Sequence, residues 1–180
     1  LGTQQLRFHP RDDGAEHVME HDLLVRPAPA GQYHYVDLDG NRVTEVWFDQ
    51  DTDHLAIDVI MRVETLRREG IDFLLPPDVA TLPLRHENDD FLAHAYLQRI
   101  TPDNDIDAFA AELSWAAGNE TLGFLDRLNR VLFSDFSHVH RDTGEPHSPA
   151  QTLQHKRGAC RDLAILFVDC CRAEGIPARF

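Results

Sequence analysis

Hydrophobic periodicity changes once along this chain, and the change limits what it can fold into. In HLAIDVIMRVETL the residues Leu55, Ile57, Val59, Met61 and Val63 alternate with others, the period of two that puts one face of a strand on a core. In DIDAFAAELSWAAG the apolar residues Ile106, Phe109, Ala110, Leu113 and Ala117 recur at helical spacing, and Gly118 can end the run. Strand-like stretches are confined to the beginning and helical ones to the end. That segregation predicts an α+β protein with an antiparallel β-sandwich-like start. Three regions follow: β-rich residues 1–66, a connector over 67–104, and a helical region over 105–180.

Turn chemistry sharpens the β-rich part. LRFHPR, EHVMEHDLLVRP and GQYHYVDLDGNRVTEVWFDQ are short apolar stretches, with Asp39-Gly40-Asn41 set between two strand-like runs as a hairpin signal. Pro27 and Pro29 mark a strand end. In the connector, FLLPPDVATLPL and RITPDND carry the prolines, and ENDDFLAHAYL reads as a short helix. Further on, NETLGFLDRLNRVLFSDF predicts a helix with Leu122, Leu125, Leu128, Val131 and Leu132 inward, capped by Asn119 or Thr121. Asn119-Glu120-Thr121 also spells a glycosylation sequon, but nothing else in the chain points to secretion. SPAQTL predicts a short helix with Ser148 as N-cap and Pro149 at its first position.

Composition excludes some functions. Seventeen Lys and Arg against thirty-one Asp and Glu leave a net charge of −14, the wrong sign for a nucleic-acid backbone. No run of about 18 apolar residues is present, so no transmembrane helix is expected. Cys160, Cys170 and Cys171 form an odd, clustered set unlike a secreted disulfide framework, and a cytoplasmic location is expected.

The end of the chain carries the chemistry. ACRDLAILFVDCCRAEG reads as a helix with Leu163, Leu166, Phe167, Cys170 and Cys171 inward and Gly175 just past its end, and IPARF then reads as the start of a strand. Cys160 stands at the helix start. A free thiol has a pKa of about 8.5, and the unpaired N–H groups and partial positive charge of a first helical turn favour its thiolate. Those N–H groups can later hold an oxyanion. Gly158 is read as a tight turn and close approach to a substrate, with Lys156, Arg157 and Arg161 adding positive charge. Cys170 and Cys171 read as packing residues. His138, His140 and His147 with His155 could supply nitrogen ligands and Cys160 a thiolate, but their spacings match no compact zinc template, so no metal or cofactor is expected.

GACRDLAILFVDCCRAEGIPARF resembles the nucleophile motif of the bacterial transglutaminase-like family. The matching residues are Gly158, Cys160, Asp162, Arg172, Gly175, Ile176, Pro177, Ala178 and Arg179. SPAQTLQHKRG is similar to the lead-in to that glycine, and the β-rich start is similar to the region preceding the core in these proteins. The resemblance implies that residues 105–180 form the helical first half of a papain-like cysteine core. It implies acyl transfer by a Cys–His–Asp triad, with Cys160 as nucleophile and Gly158 and Cys160 at the oxyanion contact. The family's His and Asp lie on strands after the IPAR segment. Both ends of the chain therefore read as cut, and residues 1–180 alone are expected to be inactive or nearly so. His138 stands where the family often has an aromatic residue, and the histidines nearest in sequence are not the expected base.

The expected activity is a thiol-dependent peptidase or amidase acting on a protein or peptide through a thioester. Release of that thioester to an amine would make a protein-crosslinking transglutaminase instead. A module that keeps Cys160 without a base would be a non-catalytic binding or scaffold protein. The strand begun by IPARF would lack neighbours, an open edge at which a second chain can pair.

Overall fold

The computed structural model describes residues 2–67, 74–86, 91–99 and 101–180, and it divides into two compact units, Leu1–Phe73 and Leu74–Phe180. Parts of the sequence-based connector, residues 68–73, 87–90 and 100, lie outside the described residues.

In the first unit, β1 (Gln4–Leu6), β4 (Arg42–Trp47) and β3 (Gly31–Val36) form a three-stranded antiparallel sheet in the order β1-β4-β3. β2 (Glu16–Arg26) and β5 (Ala56–Thr65) pair antiparallel in a second sheet, with an irregularity between Val18 and Glu20. β2 ends at Arg26, directly before Pro27. The β3–β4 connection is the hairpin that Asp39-Gly40-Asn41 predicts, with Gly40 at φ 77°. Leu6, Val25 and Val46 are buried together, with Leu23, Phe48, Leu55 and Ile57 packed against them. Side chains of both sheets meet in that cluster, which makes the unit sandwich-like. The alternation along β5 counts less toward its far end: the cluster takes in Leu55 and Ile57, whereas Met61 is 47% exposed.

The second unit is built on helices. α1 is Phe91–Leu97, α2 Asn104–Ala116, α3 Thr121–Asp135, α4 Pro149–His155 and α5 Cys160–Ala173. Ile106, Ala110 and Leu113 of α2, Phe124, Leu128 and Leu132 of α3, and Leu166, Cys170 and Cys171 of α5 form one core. Fully burying a side chain such as Leu128 or Leu166 stabilises by roughly 1.5–3 kcal/mol. On α3 the sequence reading is corrected. Phe124 is completely buried, while Leu122 is only half-buried and outside the core.

Caps explain the helix ends, with one correction. Asp103 caps α2 by accepting from the N–H groups of Asp105 and Ile106, and Gly118 follows its end at φ 67°. Ser148 and Gln151 close a reciprocal box at the start of α4, with Pro149 in its first turn. α3 uses neither expected cap: Glu120 holds that position without a side-chain bond, and Thr121 turns inward to donate from Oγ1 to Val79 O at 2.6 Å. Thr121, the third residue of the sequon, is buried at 4% exposure, whereas Asn119 is exposed. Gly175, at φ 77°, ends α5 with Gly175 N–H donating to Arg172 O and Ile176 N–H to Cys171 O, the paired bonds of a Schellman stop.

Residues 74–86 and 91–99 are strapped to these helices. Leu82 enters the core, its N–H donates to Asn119 O, and Leu84 N–H donates to Glu174 O. Arg99 grips Asp169 with two bonds, Nε to Oδ1 at 2.9 Å and Nη2 to Oδ2 at 3.0 Å, and also touches Asp107. IPARF does not form the expected strand. Residues 176–180 join no ladder, because Ala178 N–H donates to Tyr96 O and Ala178 O accepts from the Arg172 guanidinium. Among the described residues, no helix is long and apolar enough to cross a membrane.

Candidate functional site around the start of α5

Ala159 is extended, at φ −72° and ψ 169°, and Cys160 follows as the first residue of α5 with its side chain exposed. The turn is fastened by Asp162, at the third helical position and 0% exposed. Asp162 Oδ2 accepts from Ala159 N–H at 2.8 Å, and Oδ1 accepts from His147 N–H at 2.9 Å. Arg141 Nη2 reaches both carboxylate oxygens, at 2.9 and 3.1 Å. Burial pushes the Asp162 carboxyl up, but the N–H groups of His147 and Ala159, with the Arg141 charge, outweigh it and hold the carboxyl below its usual range.

Gly158 serves this carboxylate rather than a tight turn. Its φ is not left-handed, and it is buried in the short strand β7 (Arg157–Gly158). A Cβ there would lie 2.8 Å from Asp162 Cβ and 3.3 Å from Thr152 Cγ2. The missing side chain makes room for Asp162 beneath the turn.

The segment before α4 is sewn to the same place. Phe136 is buried, and β6 (Ser137–His138) pairs parallel with β7, setting His138 opposite Gly158. Ser137 N–H donates to Lys156 O at 2.9 Å and Val139 N–H to Gly158 O at 3.0 Å. On this frame His138 Nε2 lies 3.1 Å from Cys160 Sγ. The residue that sequence proximity alone did not favour is thus the imidazole brought to the thiol. Arg161 closes the loop that follows, donating to the carbonyls of Arg141, Thr143 and Gly144 at 2.9, 3.0 and 3.1 Å.

Two of the three cations expected around Cys160 are engaged elsewhere. Arg161 is held on those carbonyls, and Lys156 Nζ sits over the Phe109 and Phe136 rings at 4.9 and 4.6 Å. Arg157 is exposed. Nor do the other histidines converge on the sulfur. His140 pairs with Asp142 at 2.8 Å, His147 Nδ1 lies 3.7 Å from Asp162 Oδ2, and His155 is in the last turn of α4. Among the described residues, no three His, Cys, Asp or Glu side chains come together as metal ligands.

The other thiols are unlike Cys160. Cys170 and Cys171 are buried in the core, and burial pushes both thiols up, Cys171 to about 12. A cavity of about 480 Å³ lies along another stretch of α5, lined by His147, Pro149, Ile165, Val168, Arg172 and Phe180 among others, and does not include Cys160.

Arg141 and His138 were the parts of the site that sequence reasoning did not assign. Neither has a local signal, since both act across the parallel β6–β7 pairing or onto a residue 21 positions away.

Comparison with known proteins follows the same division. Residues 1–64 match the bacterial transglutaminase-like N-terminal region, and residues 107–180 match the transglutaminase-like superfamily. No curated protein matches the chain. Among solved structures it is similar to one from Cytophaga hutchinsonii described as "a Putative Cysteine Protease", with a TM-score of 0.64 and 18% sequence identity over 97% of this chain. At that identity the likeness speaks to the fold alone, and the chain spans 59% of the length of that structure.

Proposed function

The chain belongs to the transglutaminase-like superfamily, and on that premise we propose that Cys160 is the nucleophile of a thiol-dependent peptidase or amidase acting on a protein or peptide. One observation carries the reading: an exposed thiol heads α5 within hydrogen-bond reach of an imidazole, while the other two thiols are buried. The sulfur attacks an amide carbonyl carbon, a C–S bond forms, and the π electron pair moves onto oxygen. The N–H groups of Cys160 and Arg161 at the start of α5 face that charge, while those of Asp162 and Leu163 donate to Ala159 O. Collapse expels the amine, which takes up a proton, and water then releases the acid from the thioester.

The test is acylation of the 180-residue chain by p-nitrophenyl acetate, read by intact mass and peptide mapping. One acetyl group on Cys160 and none on the Cys160→Ala variant is the expected result. Equal acylation of the Cys160→Ala protein, or none of any thiol, overturns the assignment and favours a binding module. An added primary amine separates the two fates of the thioester. Hydrolysis leaves the amine unmodified, whereas crosslinking chemistry yields the amide.

A further inference from the structure

β3 leaves one edge unused. It stands at the end of the order β1-β4-β3, and among the described residues no strand pairs with its other side. At the hairpin, Asp37 N–H donates to Asn41 O at 3.0 Å, so these opposite residues form a hydrogen-bonded pair. Such pairs alternate along an antiparallel ladder. Tyr35 and Tyr33 therefore turn their backbone groups to β4, while Gln32, His34 and Val36 turn theirs to the open edge. Exposed edges are ordinarily guarded by charge, proline, a bulge or shortness. β2 and β5 follow that rule with Glu20, Asp22, Arg26, Asp58 and Arg62, and β1 is three residues long. β3 has none of these devices: GQYHYV is six residues without Asp, Glu, Lys, Arg or Pro, in unbroken register with β4. Its outer face is aromatic. Tyr33 and Tyr35 stack with 5.9 Å between ring centroids, and the Trp47 indole lies over Gly31, leaving no room for a Cβ. Tyr33 is 61% exposed and Trp47 41%.

We propose that the open edge of β3 binds an extended, arginine-rich segment of a partner polypeptide as an added strand. The edge specifies backbone: another extended chain offers donors and acceptors at the spacing of Gln32, His34 and Val36. The aromatic face specifies side chains. Every second residue of an added strand falls beside Tyr33, Tyr35 or the indole over Gly31, where guanidinium groups stack on exposed rings. Charge specifies the sign of the partner. Residues 1–67 hold thirteen Asp and Glu against six Arg and no Lys, within a chain of net charge −14. Two copies of this chain pairing edge to edge would bring like charges together, whereas a basic segment is attracted. The site is independent of the assignment of Cys160.

The probe is an amidated octapeptide of alternating arginine and valine with fluorescein at its N-terminus, titrated with the 180-residue chain by fluorescence anisotropy at physiological salt. Gln32→Pro removes one N–H from the open edge and no bond to β4, a place where edge strands accept proline, and should weaken binding at least about tenfold. Tyr33→Ala should weaken it about fivefold, and a peptide with glutamate in place of arginine at least about tenfold. Thermal melting shows whether both variants are folded. Peptides N-methylated at every second amide, in the two possible phases, ask the same question of the wild-type chain. One phase should lose at least about tenfold and the other should bind. Hydrogen exchange by NMR should slow at least about fivefold at the amides of Gln32, His34 and Val36 with peptide bound, and change little at Tyr33 and Tyr35. No binding of the arginine peptide overturns the proposal. Binding indifferent to Gln32→Pro and to both methylation phases reduces it to charge attraction and overturns it as well. Slowing at β3 that grows with protein concentration in the absence of peptide makes a second copy the occupant. Binding of cellohexaose that Tyr33→Ala abolishes, without peptide binding, makes the aromatic face a sugar platform, and either result overturns the polypeptide partner.

Discussion

In the Leu1–Phe73 unit the most heavily bonded carboxylate lies at the rim, whereas in the Leu74–Phe180 unit such carboxylates lie inside. Asp37, in the β3–β4 hairpin, accepts from Asn41 Nδ2 at 3.0 Å, Asn41 N–H at 2.8 Å, Asp39 N–H at 3.0 Å and Arg7 Nε at 3.1 Å. The side-chain amide of Asn41 does most to hold its carboxyl down at about 2, against a pull from burial the other way. Apart from Arg7, whose side chain comes from 30 positions earlier, Asp37 organises residues two and four positions away. Asp162 is 0% exposed and organises residues up to 21 positions away, and Asp169, with Arg99 70 positions before it, is 8% exposed. Buried acids of this kind add little as pairs but are costly to break, because the partners left behind are buried as well. In the helical unit they decide where the loops lie, and the Cys160 site is made of those loops.

Asp162→Ala should break the comparison most strongly. It leaves the N–H groups of Ala159 and His147 and the Arg141 guanidinium without their acceptor, a loss of about 3–5 kcal/mol. Hydrogen exchange read by mass spectrometry should show faster exchange over α5 and residues 137–147, with β2 and β5 unchanged. Phe124→Ala should follow at about 3–5 kcal/mol, since the side chain is fully buried in the larger core. Val46→Ala in the small β core should remove about 2 kcal/mol. Urea unfolding of the two variants measures the difference, and equal losses would mean that the β core is the better packed of the two.

Two glycines with the same φ of 77° give a finer contrast. Gly40→Ala should lose about 1 kcal/mol from the left-handed conformation alone, since nothing lies within 4 Å of the new Cβ. Gly175→Ala carries the same strain and also sets its Cβ 2.3 Å from Leu84 O, so its loss should be larger by at least about 1 kcal/mol, as thermal melting would show. The smallest effect is a pH slope. Because the folded Asp162 carboxyl is lowered, its contribution is complete above the ordinary carboxylate value of about 3.9 and is lost as pH falls through the lower folded value. Acid titration of α5 helicity by circular dichroism should therefore be steeper below about pH 4 in the wild type than in Asp162→Asn.

Local chemistry was legible wherever it stayed local. The Asp39-Gly40-Asn41 hairpin, the Ser148 cap with Pro149, the Gly175 stop and the position of Cys160 at the head of α5 each rest on a few adjacent residues with restricted conformations. Helical periodicity found most of the α2 and α5 faces. It missed Phe124, because Leu122, Leu125 and Phe124 lie on adjoining parts of the α3 surface and only the neighbouring elements decide which is covered. Thr121 was misjudged for the same reason: its hydroxyl serves Val79, 42 positions earlier.

By itself, then, the sequence determined the α+β order, the turns and caps, and a thiol at a helix start, all consequences of backbone preference and short-range spacing. Tertiary structure decided the rest of the site. Lys156 turned to two aromatic rings, Gly158 made room for a buried carboxylate, Arg141 crossed 21 positions to reach it, and the parallel β6–β7 pairing carried His138 to the sulfur. Those contacts depend on which distant segments share a buried charge or a backbone ladder, and neither is set by spacing along the chain.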